Sequence, residues 1–206
     1  KQYDRALEEY NAVLALDPDN EQYAFAAGTA YFEKGDYLRA RERFDRALTL
    51  DSQLHRAHFL TGMSFLREGN AQEAEKRFRI AMEYFRDSLE YGFWLGVGLE
   101  AQGKDTEGLE IYLGLERTLG RNPERIREVP DLYYRIGRNL LKSGAPQKAV
   151  LYLTRGLGRD ERRADPWYLA GEALFQLNLY DKAIGFLNEA LRRDRSLVAA
   201  HYRIAM

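Results

Sequence analysis

The chain has 206 residues, of which 45% are hydrophobic and 31% are charged, a composition that favours a folded protein over a disordered one. Its 31 Lys and Arg residues nearly balance 32 Asp and Glu residues, and the net charge of -1 argues against nucleic-acid binding, which favours a basic excess. The lack of cysteine excludes disulfides, thiolate metal sites and cysteine nucleophiles, and it leaves the compartment open between the cytoplasm, which we favour, and the periplasm. No apolar run approaches the roughly 20 residues that cross a bilayer, so we expect no membrane insertion by this chain.

The predicted elements are helices that recur in pairs, and together they form a single array over 1–206. The array begins with a half repeat over 1–20, which we interpret as the second helix of a pair. Each following pair contains one landmark glycine in its first helix, and these glycines recur at one constant interval: Gly28, Gly62 and Gly96. The corresponding pairs are 21–54, 55–88 and 89–122. This interval matches the period of about 34 residues that is typical of a helical-hairpin repeat.

An insertion then interrupts the period. The next landmark glycine, Gly137, lies seven positions beyond the place that the period gives it, and we place the inserted segment at 123–129. Pro123 and Pro130 bound this segment and predict a bend or a loop instead of a longer helix. The remaining segments are two complete pairs and a truncated one: 130–163, 164–197 and 198–206. Terminal repeats of a solenoid need polar outer faces, but the last segment, VAAHYRIAM over 198–206, is not polar. We therefore expect the chain to be cut from a longer array.

Other positions keep the same register, and each has a physical role. Seven residues after each landmark glycine stands a residue suited to the left-handed backbone that ends a helix: Gly35, Gly69, Gly103, Gly144 and Asn178. Twelve residues after it stands a small residue that fits a close helix crossing: Ala40, Ala74, Gly108, Ala149 and Ala183. Sixteen residues after it stands a large apolar residue that fills the space between helices: Phe44, Phe78, Tyr112, Leu153 and Leu187. We therefore expect an all-α chain of about a dozen helices.

The segments AAGTAYFEKGDYLRARERFDRAL, from Ala26 to Leu48, and YLAGEALFQLNLYDKAIGFLNEAL, from Tyr168 to Leu191, closely resemble the tetratricopeptide repeat. The resemblance covers nearly the whole chain. It implies an α-solenoid, wound as a right-handed superhelix whose first helices line a concave side. The sequence departs from the family pattern at the aromatic position four residues before the glycine, which is kept only in the last two complete pairs, and at the closing proline, which survives only as Pro18.

No motif predicts catalysis, so we expect no enzyme activity, no cofactor and no metal. Residues 96–101 formally match a dinucleotide-binding fingerprint, but they lie inside a predicted helix and not between a strand and a helix. We interpret His55, His58 and His201 as packing or surface residues. The basic run from Arg155 to Arg163 ends a second helix, where cations are favourable, so we do not interpret it as a nucleic-acid patch.

One stripe of the first helices carries a functional signal. It consists of the residues three before, two before and one after each landmark glycine, which share a helical face, and we call it the groove stripe. The position three before the glycine is aromatic in every unit, and arginines join the stripe in the second half of the chain. The candidate partner-binding residues are Phe25, Phe59, Leu60, Met63, Phe93, Trp94, Val97, Tyr134, Arg135, Arg138, Tyr168 and Glu172. In the alternative interpretation, the rings pack against neighbouring helices and never meet a ligand.

The pattern favours a protein–protein interaction scaffold that binds a peptide or a helix of a partner protein in the concave groove. Its apolar part is suited to a hydrophobic anchor, while Arg135 and Arg138 are suited to an acidic stretch of the same ligand. Two alternatives stay open. In the first, the chain is a structural array that self-assembles into a homo-oligomer. In the second, it is an accessory region of a larger enzyme or of a secretion or assembly complex.

Overall fold

The structure, a computed structural model, describes residues 2–157 and 163–206, and it divides the chain into two compact units, Lys1–Lys104 and Asp105–Met206. In the first unit the helices are α1 (Gln2–Leu16), α2 (Glu21–Lys34), α3 (Tyr37–Leu50), α4 (His55–Arg67), α5 (Ala71–Tyr84) and α6 (Leu89–Ala101). In the second unit they are α7 (Asp105–Leu119), a 3-10 helix (Pro123–Glu128), α8 (Leu132–Lys142), α9 (Pro146–Gly156), α10 (Asp165–Gln176), α11 (Tyr180–Arg193) and α12 (Val198–Ala205). The described residues thus form twelve α-helices, one 3-10 helix and no strand, which confirms the all-α prediction.

The helix ends follow the register of the repeat. Gly35 has a φ of +84°, and its N–H donates to the carbonyl of Phe32 at 2.9 Å, so the last turn of α2 closes without an unpaired amide. The other three glycines at this position also have positive φ, and Asn178 adopts the same backbone with a φ of 59°. The prediction that asparagine replaces glycine at this helix end is therefore confirmed.

Within a hairpin, the landmark glycine lies against the large apolar residue of the second helix. A Cβ atom added to Gly28 would lie 2.6 Å from the ring of Phe44, which is fully buried. Leu7 and Ala57, from the helices on either side, are also buried in this cluster. The glycine is needed because the two helices cross so closely that only a hydrogen atom fits between the backbone and the ring.

The insertion does not lengthen the preceding helix. Helix α7 ends at Leu119, and the 3-10 helix Pro123–Glu128 follows. Glu124 and Arg127 of this short helix are exposed to solvent. Ile126 and Val129 are 7% and 1% exposed, so two apolar side chains anchor this segment in the second unit. The chain is bent here, as the two prolines predict.

Candidate functional site

Three residues of the groove stripe lie inside the core of the first unit. Phe59 and Met63 on α4 are each 7% exposed, and Phe93 on α6 is 8% exposed. The Phe59 ring lies 5.7 Å from the ring of Phe78 and stacks on the ring of Tyr91 at 4.4 Å. This is the arrangement that the packing interpretation predicts, and it leaves little of these three side chains open to a partner.

Other residues of the stripe in the first unit keep part of their surface exposed. They are Phe25, Leu60, Trp94 and Val97. Trp94 packs edge-on against Phe93, with ring centroids 5.8 Å apart. The stripe on α2, α4 and α6 is therefore a set of half-buried apolar side chains that rest on buried ones.

A groove of about 400 Å³ lies between α1 and α2, and Phe25 of the groove stripe lines it. The remaining lining residues come from both helices: Tyr3, Ala6, Tyr10, Ala26, Thr29, Ala30 and Glu33. Its surface is mainly apolar, with the Glu33 carboxylate at its margin. Sequence reasoning missed the contribution of α1, although Tyr3 and Tyr10 stand one repeat period before Tyr37 and Phe44 and share their aromatic character.

In the second unit the groove stripe is polar and partly exposed. Two guanidinium groups lie near the Tyr134 ring on α8, with Arg163 at 4.7 Å and Arg138 at 5.8 Å from its centroid. Arg163 also donates to the carboxylate of Asp131 at 2.5 Å. Arg135 lies on the same helix and is also partly buried. Tyr134 and Arg138, both of the groove stripe, are thus in contact on this helix.

An ion pair joins the groove stripe on α10 to helix α12. Arg203 donates to both carboxylate oxygens of Glu172, at 2.6 and 2.8 Å, and this carboxylate raises the pKa of Arg203. Burial raises the pKa of the neighbouring Tyr168, which is partly exposed. Glu172 therefore has a structural partner within its own unit.

His58 and His201 make equivalent contacts in different repeats. The Nε2 atom of His58 lies 3.1 Å from the carbonyl of Ser52, and the Nε2 atom of His201 lies 3.1 Å from the carbonyl of Arg195. Each ring thus binds the turn that precedes its own helix. His55 instead pairs through Nδ1 with the hydroxyl of Tyr91 at 2.8 Å. Within residues 2–157 and 163–206, no group of three or more His, Cys, Asp or Glu side chains is placed to hold a metal ion.

The remaining sequence motifs are accounted for by their positions. Residues 96–101 lie inside α6, which is not the strand-to-helix turn that a dinucleotide site needs. Of the basic run from Arg155 to Arg163, residues 158–162 lie outside the described residues, and Arg155 donates to Glu116 at 2.8 Å. Among the helices that the structure describes, none is both long and apolar enough to span a membrane.

Consecutive helix pairs with a glycine crossing and a left-handed helix end define a helical-hairpin repeat protein. The family model for the tetratricopeptide repeat matches residues 59–123 and 134–197, which is more than half of the chain. A second family model, for the anaphase-promoting complex, cyclosome, subunit 3, matches residues 1–81. No curated protein matches the chain. The chain belongs to the tetratricopeptide repeat family.

Solved structures share the fold at low sequence identity. YrrB, described as a tetratricopeptide repeat protein with an unusual peptide-binding site, is 18% identical, with a TM-score of 0.81 over 97% of this chain and 100% of that one. PilF of Pseudomonas aeruginosa is 18% identical, with a TM-score of 0.70 over 97% of this chain and 82% of that one. A chain of the Cut9–Hcn1 hetero-tetramer of the APC/C is 21% identical, with a TM-score of 0.66 over 98% of this chain and 39% of that chain. The fold is that of a protein–protein interaction scaffold, and proteins of this family are generally non-enzymatic.

Proposed function

We propose that the chain is a non-catalytic scaffold that binds a segment of a partner protein on its groove stripe. The observation that carries this proposal is that Leu60, Trp94 and Val97 of the groove stripe stay partly exposed on α4 and α6, next to the buried Phe59, Met63 and Phe93. An apolar, concave surface with a few polar groups is the usual form of a binding site. Neither catalysis nor a bound cofactor is needed to account for its residues.

The apolar part of the stripe is suited to hydrophobic anchors of the partner. Burial of one large apolar side chain contributes about 1.5–3 kcal/mol, and aromatic contacts add to this value. Phe25 and Trp94 expose part of their rings for such contacts. A few anchors on this surface are enough for micromolar affinity, since the energy of most interfaces is concentrated in a few residues.

The stripe of the second unit has a different, basic character. Helix α8 carries three basic side chains, Arg135, Arg138 and Lys142, and no acidic one. Lys142 donates to the carboxylate of Asp105 at 3.2 Å, and the guanidinium of Arg138 lies 5.8 Å from the ring centroid of Tyr134. We therefore expect acidic residues of the partner to approach this helix. Because only part of the contact is ionic, salt weakens the binding modestly.

The test begins with peptides selected from a random display library on the immobilised chain. Their affinities are then measured for Trp94→Ala and Arg138→Glu, which change the groove stripe. The matched controls are Arg43→Ala and Lys76→Ala on the second helices α3 and α5. We expect at least about tenfold weaker binding for one of the first two variants and no change for the controls. If binding responds to the second-helix changes and ignores the stripe, the proposed site is wrong.

Self-association is the second candidate function, and the exposed face of α12 favours it. Val198 and Tyr202, four residues apart on one face of this helix, are 76% and 65% exposed. Static light scattering over a wide concentration range separates this candidate from the first. A molar mass that rises with concentration, and that returns to the monomer value in Tyr202→Lys, supports self-association.

A further inference from the structure

Two neighbouring aromatic residues in the turn between α5 and α6 break the pattern of the repeat. At three other described turns, the residue that follows the second helix is an aspartate: Asp17, Asp51 and Asp194. Phe85 stands one period after Asp51 and replaces this aspartate. Tyr84, the residue before it, stands where the two earlier units carry leucine, Leu16 and Leu50. Both departures therefore place a ring where the repeat has none.

The backbone of this turn does not require an aromatic residue. The N–H of Phe85 donates to the carbonyl of Ala81 at 3.0 Å, just as the N–H of Asp51 donates to the carbonyl of Ala47 at 2.8 Å. The carboxylate of Asp51 also accepts a hydrogen bond from the N–H of Gln53 at 2.9 Å, a bond that phenylalanine cannot make. A residue that departs from the local rule without a local gain is expected where it serves a function.

Each of the two rings is backed by a histidine of α4. The His58 ring stacks on Tyr84 with centroids 5.9 Å apart, and the His55 ring stacks on Phe85 at 5.0 Å. His55 is held in turn by the contact of its Nδ1 with the hydroxyl of Tyr91 at 2.8 Å. Tyr84 and Phe85 are nevertheless 45% and 47% exposed, so their other sides face solvent. We call these two rings the turn aromatic pair.

The chain around the turn aromatic pair is acidic. Within residues 83–90 the charged side chains are all exposed, and three acidic residues outnumber one basic residue: Glu83, Asp87 and Glu90 against Arg86. An aromatic face attracts a cation, and a guanidinium also stacks flat on a ring. The chain itself uses this contact, since the guanidinium of Arg41 lies 4.5 Å from the ring centroid of Phe65. Among the residues that the structure describes, no guanidinium lies over the turn aromatic pair.

We propose that the turn aromatic pair binds an arginine side chain of a partner protein, with the guanidinium on the exposed ring faces and the neighbouring carboxylates as counter-charges. The pair lies outside the groove stripe, so this surface is additional to the proposed binding site. Arginine fits better than lysine because its planar group can stack on a ring while its edge donates to carboxylates.

The size of the surface favours a short segment of the partner over a folded domain. A fully covered phenylalanine or tyrosine buries about 150–250 Å², so the exposed half of the pair offers roughly 200 Å². A stable interface takes about 800 Å² from each partner. A second copy of this chain would therefore not form a stable dimer through this surface alone, whereas one anchoring side chain of a flexible segment matches the area.

The test selects peptides that depend on this turn. A random display library is first depleted on an immobilised double variant, Tyr84→Leu with Phe85→Asn, and is then selected on the wild-type chain. Leucine is the residue that two other units carry at this position, and asparagine keeps an acceptor for the turn amide without adding a charge. The double variant should therefore fold, which circular dichroism checks. Peptides that bind the groove stripe also bind the double variant, so the depletion removes them.

We expect the selected peptides to share an arginine. Citrulline in its place keeps the shape and loses the charge, and it should weaken binding at least about threefold. Tyr84→Leu alone keeps an apolar side chain and removes the ring, and it should weaken binding by a similar factor. Tyr180→Leu is the matched control, because it removes a ring that is 50% exposed from α11, and it leaves the affinity unchanged.

Three outcomes overturn the inference. The first is a depleted library that contains no peptide for the wild-type chain. The second is a set of selected peptides that lack arginine, or that bind equally well with citrulline, since the contact would then not depend on the cation. The third is a loss of binding in Tyr180→Leu as large as in Tyr84→Leu. None of these outcomes affects the proposed function, because peptides for the groove stripe are tested separately with Trp94→Ala and Arg138→Glu.

Discussion

The ring of Phe78 offers a matched test of the packing, because two glycines approach its opposite edges. A Cβ atom at Gly62 on α4 would lie 2.7 Å from one edge, whereas a Cβ atom at Gly98 on α6 would lie 3.7 Å from the other. Phe78 is fully buried on α5, so its ring has no free direction in which to move. The substitutions Gly62→Ala and Gly98→Ala therefore add the same methyl group beside the same ring at different clearances.

The expected difference follows from these distances. Two carbon atoms prefer a separation of about 3.5–4.0 Å, so the methyl group at position 62 overlaps the ring by roughly 1 Å. Overpacking of this kind costs about 1–3 kcal/mol. Both variants gain the same helix propensity, up to about 1 kcal/mol, and this gain cancels in the comparison. By this reasoning, Gly98→Ala should be more stable than Gly62→Ala by about 1–3 kcal/mol, and at least as stable as the wild type.

Urea unfolding followed by far-UV circular dichroism measures this difference. The midpoints should separate while the denaturant slopes agree, and the melting temperatures should differ by roughly 2–4 °C for each kcal/mol. Equal midpoints for the two variants would refute the close crossing at Gly62 and, with it, the register of the repeat.

Three further predictions concern the same unit. Gly62→Leu should destabilise more than Gly62→Ala, because a longer side chain meets the same ring; thermal melts of the two variants check this order. Burial lowers the pKa of His58 below its ordinary 6.5, so the unfolded chain binds the proton more readily. Stability should then fall as the pH drops below about 6.5, and His58→Phe should flatten this part of the pH profile in urea titrations. Burial alone raises the pKa of Glu75, but hydrogen bonds from Lys104, Arg79 and Gln102 outweigh it and lower the pKa to about 2. Glu75→Gln should therefore lower the urea midpoint at neutral pH, and the deficit should shrink as the pH falls from 4.5 toward 2.

The repeat architecture was predictable because it depends on local chemistry repeated at a fixed interval. A glycine that must cross a ring and a residue that must adopt positive φ are restricted wherever they occur, so Gly28 and Asn178 are recognisable from the sequence alone. The bend after α7 was predictable for the same reason, since Pro123 is incompatible with a continuous helix.

The exposure of the groove stripe was not predictable in the same way. Phe25 and Phe59 occupy the same repeat position, and each lies 5.7 Å from the ring of its second helix, yet Phe59 is the more buried. The difference arises from the neighbouring helices, which the position within a repeat does not encode. The stacking of Tyr91 on Phe59 is a further example, since it joins residues of different repeats that are not separated by the period.

The central claim, that partners bind on the groove stripe, is tested most directly by photo-crosslinking. A photoreactive phenylalanine analogue is placed at position 29, where Thr29 lines the α1–α2 groove, and in a second protein at position 42, where Glu42 is exposed on the second helix α3. A peptide selected by binding is then irradiated with each protein. We predict adducts from position 29 and none from position 42. Adducts from position 42 alone would contradict the account and place the binding surface on the second helices.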